Sequence, residues 1–274
     1  MRQGLRLMAA SAFFLLPLPL ICAISISSKT VSPGDVVLVS VSGSAADGLR
    51  FGKKTLPLFP YNDGTKKCFA GVPFDAQESI EVSCGEEKVR LKLTVTAAKT
   101  EKLSIPAKEN IDEAKAAAEH DRILKAIATV SGRKLWSGKF GKPVPGAVKT
   151  PFGVNRIVNG LPGGGHRGVD LGGASGEPVK SAAAGRVLYC EKTIASGNSI
   201  ALDHGQGVVS VYFHLSSFNV KAGDSVEKGQ VIGAVGSTGF STGPHLHWGA
   251  YVFGVCVDPF AFVRKDFFYG YGKR

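Results

Sequence analysis

The strongest constraint on this chain is the way short, β-patterned apolar runs are cut apart by glycine. Thirty-five of its 274 residues are glycine, and they follow no three-residue period, so a collagen-like helix is excluded. Glycine used in this way permits sharp reversals and close backbone approach, as a β-rich fold requires. The apolar content of 44% is too high for a disordered tail. Only the N-terminus carries a long apolar run, which excludes a multi-span membrane protein.

The length favours two domains over one. Residues 1–23 read as a signal peptide: Arg2 and Arg6 precede an almost wholly apolar stretch from Leu7 to Ala23. Pro17 and Pro19 argue against a spanning helix, so no stable transmembrane segment is expected after cleavage, and the protein is expected to be exported to the periplasm or the extracellular cell envelope. Residues 24–98 contain short β-runs. Val89, Leu91, Leu93 and Val95 alternate onto one face, which predicts a small β-sandwich-like domain. It holds no histidine, a poor composition for a catalytic unit. Residues 99–145 change character: Ile111 to Val130 has a helical pattern with Asp112 and Glu113 at its negative end, followed by Gly/Pro-rich sequence, predicting a helical arm and linker. His120 lies on that helix and reads as a solvated or packing residue. The β-pattern returns over 146–265 as an antiparallel domain, and 266–274 form a basic tail. The predicted fold class is therefore mainly β, with one helical interruption.

The formal charge is +11, or +9 once the two N-terminal arginines are removed. Such a surface attracts polyanions in general. No base-reading module is present, so nucleic acid is not an expected partner. Cys22 is expected to leave with the signal peptide. Of the other four cysteines, Cys68 and Cys84 are the favoured bridge, and Cys190 can pair with Cys256 only if their strands are neighbours. No Cys-x-x-Cys spacing points to a cysteine-ligated metal or a redox site.

Five of the six histidines fall after residue 146. On a strand, His245 and His247 face one side while Leu246 and Trp248 face the other, a geometry that suits a ligand beside a catalytic group. Taken alone, such a pair can also simply line a groove. His166 and Asp170 would stand about 13 Å apart on a straight strand, so the chain must bend if both bind one ion. Gly163, Gly164, Gly165 and Gly168 permit that bend without requiring it. His214 ends an apolar strand, where it can be a packing residue or a catalytic one.

These pieces occur in a telling order: His166-x-x-x-Asp170, Gly185-Arg186-Val187, Tyr212-x-His214-Leu215-Ser216, Val220 to Asp224, Gly236 to Gly239, and Ser241-Thr242-Gly243-Pro244-His245-Leu246-His247. Residues 152–259 thereby resemble the lysostaphin-type (LytM-type) zinc metallopeptidases of family M23, bacterial endopeptidases that cut peptide bonds in peptidoglycan. The resemblance implies that His166, Asp170 and His247 bind Zn²⁺ and that His214 and His245 are catalytic without being ligands. Two imidazoles and one carboxylate leave a fourth position open, as in catalytic zinc sites. No His-Glu-x-x-His motif supplies a glutamate base, so an imidazole must take that role. Thr242, Gly243 and Pro244 are expected to contribute backbone geometry only. The implied substrates are peptidoglycan peptide stems or crosslinks, first a D-alanyl-diaminopimelate bond and second a polyglycine bridge. An envelope regulatory protein is a further partner that this reading allows. The alternatives are a non-catalytic wall-binding or regulatory protein and a polyanion-binding protein.

Overall fold

The computed structural model describes residues 22–43, 48–104 and 112–267. Most of the expected signal peptide and the end of the basic tail lie outside these residues. The chain is mainly β, as the glycine-punctuated pattern predicts. Among the described residues no helix is long and apolar enough to cross a membrane.

The N-terminal part is a sandwich of two sheets. One holds the strands Ala23–Ile26, Val36–Ser42, Lys66–Gly71 and Phe59–Pro60; the other holds Thr30–Val31, Glu87–Leu93, Ile80–Cys84, Leu49–Phe51 and Lys54–Leu56. Their facing sides close over Val37, Val39, Val41, Leu49, Val82 and Leu91. The continuous run at Val36–Val41 has a second cause. Val36 and Leu38 point away from this core into the core of the following domain, so the strand is buried on both faces.

Phe69 repeats that arrangement from the neighbouring strand. Its ring lies 5.6 Å from Trp136, 6.1 Å from Phe262 and 5.5 Å from Phe267, in tilted and edge-on contacts. Residues read from sequence as arm, linker and tail thus join a single aromatic cluster: Trp136 and Phe140 come from the first stretch and Phe267 from the last. Tyr61 of the sandwich also donates a hydrogen bond to Gln206 across the same junction, 2.6 Å.

The C-terminal domain is built on one antiparallel sheet, in the order Val148–Thr150, Val169–Gly172, His245–Val252, Val208–Leu215, Gly197–Gly205, Gly185–Thr193 and Ser225–Val226. A smaller antiparallel sheet, Pro178–Lys180, Val231–Ala234 and Ser217–Phe218, packs beside it. The helix runs Glu113–Ile127, with the Asp112 side chain accepting from the Lys115 N–H at 2.9 Å as its N-cap. Just before it, Thr100–Leu103 pairs parallel with Asn155–Val158, a departure from the antiparallel expectation.

The expected Cys68–Cys84 bridge is not formed, and all five cysteines are free thiols. Cys68 and Cys84 sit on different sheets. The Cys68 thiol points to the Phe69 carbonyl at 3.3 Å, while the neighbour of Cys84 is Cys22. Cys190 and Cys256 lie on strands that are not adjacent; their thiols face the carbonyls of Val220 and Arg167.

Candidate functional site

The central strands bring the five predicted residues to one cleft. Val169–Gly172 pairs with His245–Val252 so that Asp170 stands opposite His247, and His247 in turn stands opposite Phe213 on the Val208–Leu215 strand. The bend that His166 needs occurs at Gly168, where a Cβ would lie 2.7 Å from both His247 Nε2 and the Trp248 carbonyl. A glycine is therefore required for the two segments to meet.

His166 Nε2, Asp170 Oδ1 and His247 Nδ1 form a near-equilateral triangle with separations of 3.0, 3.0 and 2.9 Å. All three side chains are buried, at 2%, 6% and 9% exposure. The Pro151 carbonyl, 2.9 Å from His166 Nδ1, can only accept, so Nδ1 is a donor and Nε2 is the ring atom that offers a lone pair in the neutral tautomer. A lone pair and a carboxylate oxygen held this close suit a shared cation, and the spacing fits a single small ion with bonds of roughly 2 Å. Burial alone would raise the Asp170 pKa, but an imidazole N–H or positive charge presented by His166 or His247 outweighs it and holds the carboxyl well below its usual range. Burial also lowers the His247 pKa, keeping its ring neutral and fit to ligate.

His214 and His245 stand beside this triangle, their rings 4.9 Å apart. His214 Nδ1 donates to the Thr238 carbonyl at 2.8 Å and His245 Nδ1 to the Gly243 carbonyl at 2.7 Å. Each therefore keeps only Nε2 free, as an acceptor. His245 Nε2 lies 3.8 Å from Asp170 Oδ1. Burial, with His247 nearby, pushes the His214 pKa down to about 3. His214 also has a positive φ of 64°, an uncommon backbone conformation for a residue other than glycine.

Sequence reasoning missed the groups that hold these residues. Arg156 Nη2 donates to Asp170 Oδ2 at 2.5 Å, and Arg156 Nε approaches Glu101 Oε2 at 3.5 Å. Neither side chain lies in the motifs. The carbonyls of Pro151, Thr238 and Gly243, which fix three tautomers, are invisible as residue types. His204, the remaining histidine of this domain, is not in the site: it is fully buried against Phe140 and bonded to Ser210 and the Ala184 carbonyl. His120 is exposed on the helix.

The cleft holds about 310 Å³ and is lined by Glu101, Lys149, Arg156, His214, Phe240 and His245 among others. A larger cavity of about 620 Å³ at the domain junction contains no histidine. The convergent polar groups, not the volume, mark the site.

Residues 164–259 match the model of peptidase family M23. Lysostaphin from Staphylococcus simulans is 39% identical over 131 residues, which are 46% of this chain and 26% of that protein. DD-carboxypeptidase/endopeptidase Mpg from Neisseria meningitidis is 43% identical over 94 residues, 34% of this chain and 22% of that protein. The chain thus spans only about a quarter of the length of these relatives. A crystal structure from Pseudomonas aeruginosa, assigned to peptidase M23, covers 85% of this chain and 94% of its own, with 26% identity and a TM-score of 0.65. That coverage takes in strands well outside the 164–259 match. With the ordered motifs folded into one cleft, residues 164–259 of this chain form a domain of peptidase family M23.

Proposed function

We propose that this protein is a zinc-dependent endopeptidase of the bacterial cell envelope that hydrolyses peptide crosslinks in peptidoglycan, first among them the D-alanyl-diaminopimelate bond. The observation that carries the reading is the buried triangle of two imidazole nitrogens and one carboxylate oxygen, with two further imidazoles beside it. The names of the relatives, a lysostaphin and a DD-carboxypeptidase/endopeptidase, support the substrate class. The basic surface favours approach to an anionic wall, and export is the corresponding location.

His166, Asp170 and His247 would hold the metal. A zinc ion there supplies Lewis-acid activation of a peptide carbonyl and of water. His245, its Nδ1–H spent on the Gly243 carbonyl, presents Nε2 to take the proton of an attacking water. His214, held in one orientation by the Thr238 carbonyl, presents Nε2 beside His245, so the proton that His245 takes from the water can pass by way of either imidazole to the leaving amine. Arg156 keeps the second oxygen of Asp170 occupied, so the carboxylate keeps one face toward the site.

Purified peptidoglycan should release new amines and shorter muropeptides, identified by mass spectrometry. Stripping the metal should abolish release and zinc add-back should restore it. A zinc-loaded protein that binds several peptidoglycans without new products would instead establish the non-catalytic wall-binding reading.

A further inference from the structure

The helix Glu113–Ile127 docks through Ala116, Glu119, Ile123, Ala126 and Ile127, the spacing of one helical face. Four of these residues are apolar and the fifth is a glutamate exposed by only 4%. A carboxylate in the middle of a packing stripe is costly unless it meets a donor. Glu119 Oε2 accepts from the Ile194 backbone N–H at 2.7 Å. Arg122, one turn on, pairs with Glu191 at 3.0 Å and fixes the helix to the same strand end.

The turn that Ile194 opens is the support of His214. The Ser196 carbonyl accepts from the His214 N–H at 2.9 Å, and the Ala195 carbonyl from the Phe240 N–H at 2.7 Å. The Asn198 N–H donates to Thr238 Oγ1 at 2.8 Å, and Thr238 Oγ1 donates to the Leu215 carbonyl at 2.7 Å. The two segments touch backbone to backbone: a Cβ on Gly197 would lie 2.4 Å from the Thr238 carbonyl carbon, and one on Gly239 would lie 2.3 Å from the Gly197 nitrogen. Thr238, held in this way, aims the His214 ring through its carbonyl.

We infer that Glu119 is a positioning residue for catalysis: from the helical arm it clamps Ile194 and thereby the 194–198 turn, which sets both the backbone of His214 and the Thr238 carbonyl that orients its imidazole. The inference rests on the catalytic role proposed above for His214, but its structural half can be read without activity.

The test compares Glu119→Ala with Glu119→Gln in the full chain. Glutamine keeps an oxygen that can accept from Ile194, whereas alanine does not. In Glu119→Ala, hydrogen exchange should quicken at the His214 and Phe240 amides, while the amides of the Glu113–Ile127 helix and of Asp170 keep their protection. Zinc stoichiometry should be unchanged, and kcat should fall roughly tenfold with KM little altered, short of the roughly 100-fold cost of a 1 Å misplacement. Glu119→Gln should restore both exchange protection and kcat. Unchanged exchange at His214 and Phe240 in the alanine variant overturns the clamp. Faster exchange there with normal kcat overturns the positioning role. Equal loss of protection across the whole helix shows a docking residue only and also overturns it. A wild-type chain without turnover, by contrast, would count against the proposed function and leave the exchange comparison to decide the clamp.

Discussion

Replacing Phe69 by alanine tests whether the N-terminal sandwich folds as one unit with the C-terminal domain. The side chain belongs to the sandwich by sequence, yet it is fully buried among Trp136, Phe262 and Phe267. Truncating a phenylalanine in such a core costs about 3–5 kcal/mol through lost transfer energy and the cavity left behind. For a unit of roughly 150–250 residues, each kcal/mol lowers the melting temperature by about 2–4 °C, so a fall of roughly 6–20 °C is expected. The assay is favourable because the chain has two tryptophans, Trp136 and Trp248, both buried in the core that Phe69 enters. Their fluorescence therefore reports the unfolding of the C-terminal domain. In Phe69→Ala the fluorescence transition should shift by the full amount and coincide with the far-UV circular dichroism transition. A fluorescence transition left at its wild-type midpoint, with only part of the dichroism signal melting early, would refute a shared core.

Three further outcomes follow from the site and its surroundings. His214→Ala and His245→Ala should each bind about one zinc per chain while losing most turnover; equal loss of metal and activity would remove their assignment as non-ligands. Arg156→Met should weaken zinc binding by about 10–100-fold in a chelator competition, because it frees the outer oxygen of Asp170, and unchanged affinity would contradict that support. Burial pushes the His204 pKa down to about 4 from an ordinary 6.5, so the unfolded chain takes up that proton first. Its contribution is complete above pH 6.5, and up to about 3 kcal/mol is lost as pH falls to 4, after which this loss levels off. Denaturant titrations across that range should show this slope, and His204→Gln should flatten it.

Much of the architecture was legible because side-chain type and spacing encode it. Alternation at Val89, Leu91 and Leu93 and the Gly-bounded runs after Gly185 announce strands, although Val95, expected on the same face, lies exposed beyond the strand end at Leu93, and Asp112 followed by the Ala/Leu/Lys pattern announces the helix. The five candidate residues that the fold gathers at one cleft could be picked out because histidine and aspartate are distinctive side chains in recognisable motifs. What stayed hidden depends on tertiary pairing. A run such as Val36–Val41 shows that a strand is buried on both faces, but not which domain covers the second face. Trp136 and Phe140 lie in Gly/Pro-rich sequence that reads as linker, although their rings fill the core. Carbonyl acceptors such as that of Thr238 carry no residue signature, and Glu119 was visible only as one charge among many on an arm. The cysteine expectation failed for the same reason: closeness in sequence favoured Cys68 with Cys84, whereas the fold sets Cys84 against Cys22.

Anomalous diffraction at the zinc absorption edge, from crystals grown with the metal, addresses the catalytic reading most directly. One peak per chain within bonding distance of His166 Nε2, Asp170 Oδ1 and His247 Nδ1, absent in Asp170→Ala, is the expected result. No peak at that triangle, or one held by His214 or His245 in place of those three atoms, would contradict the account.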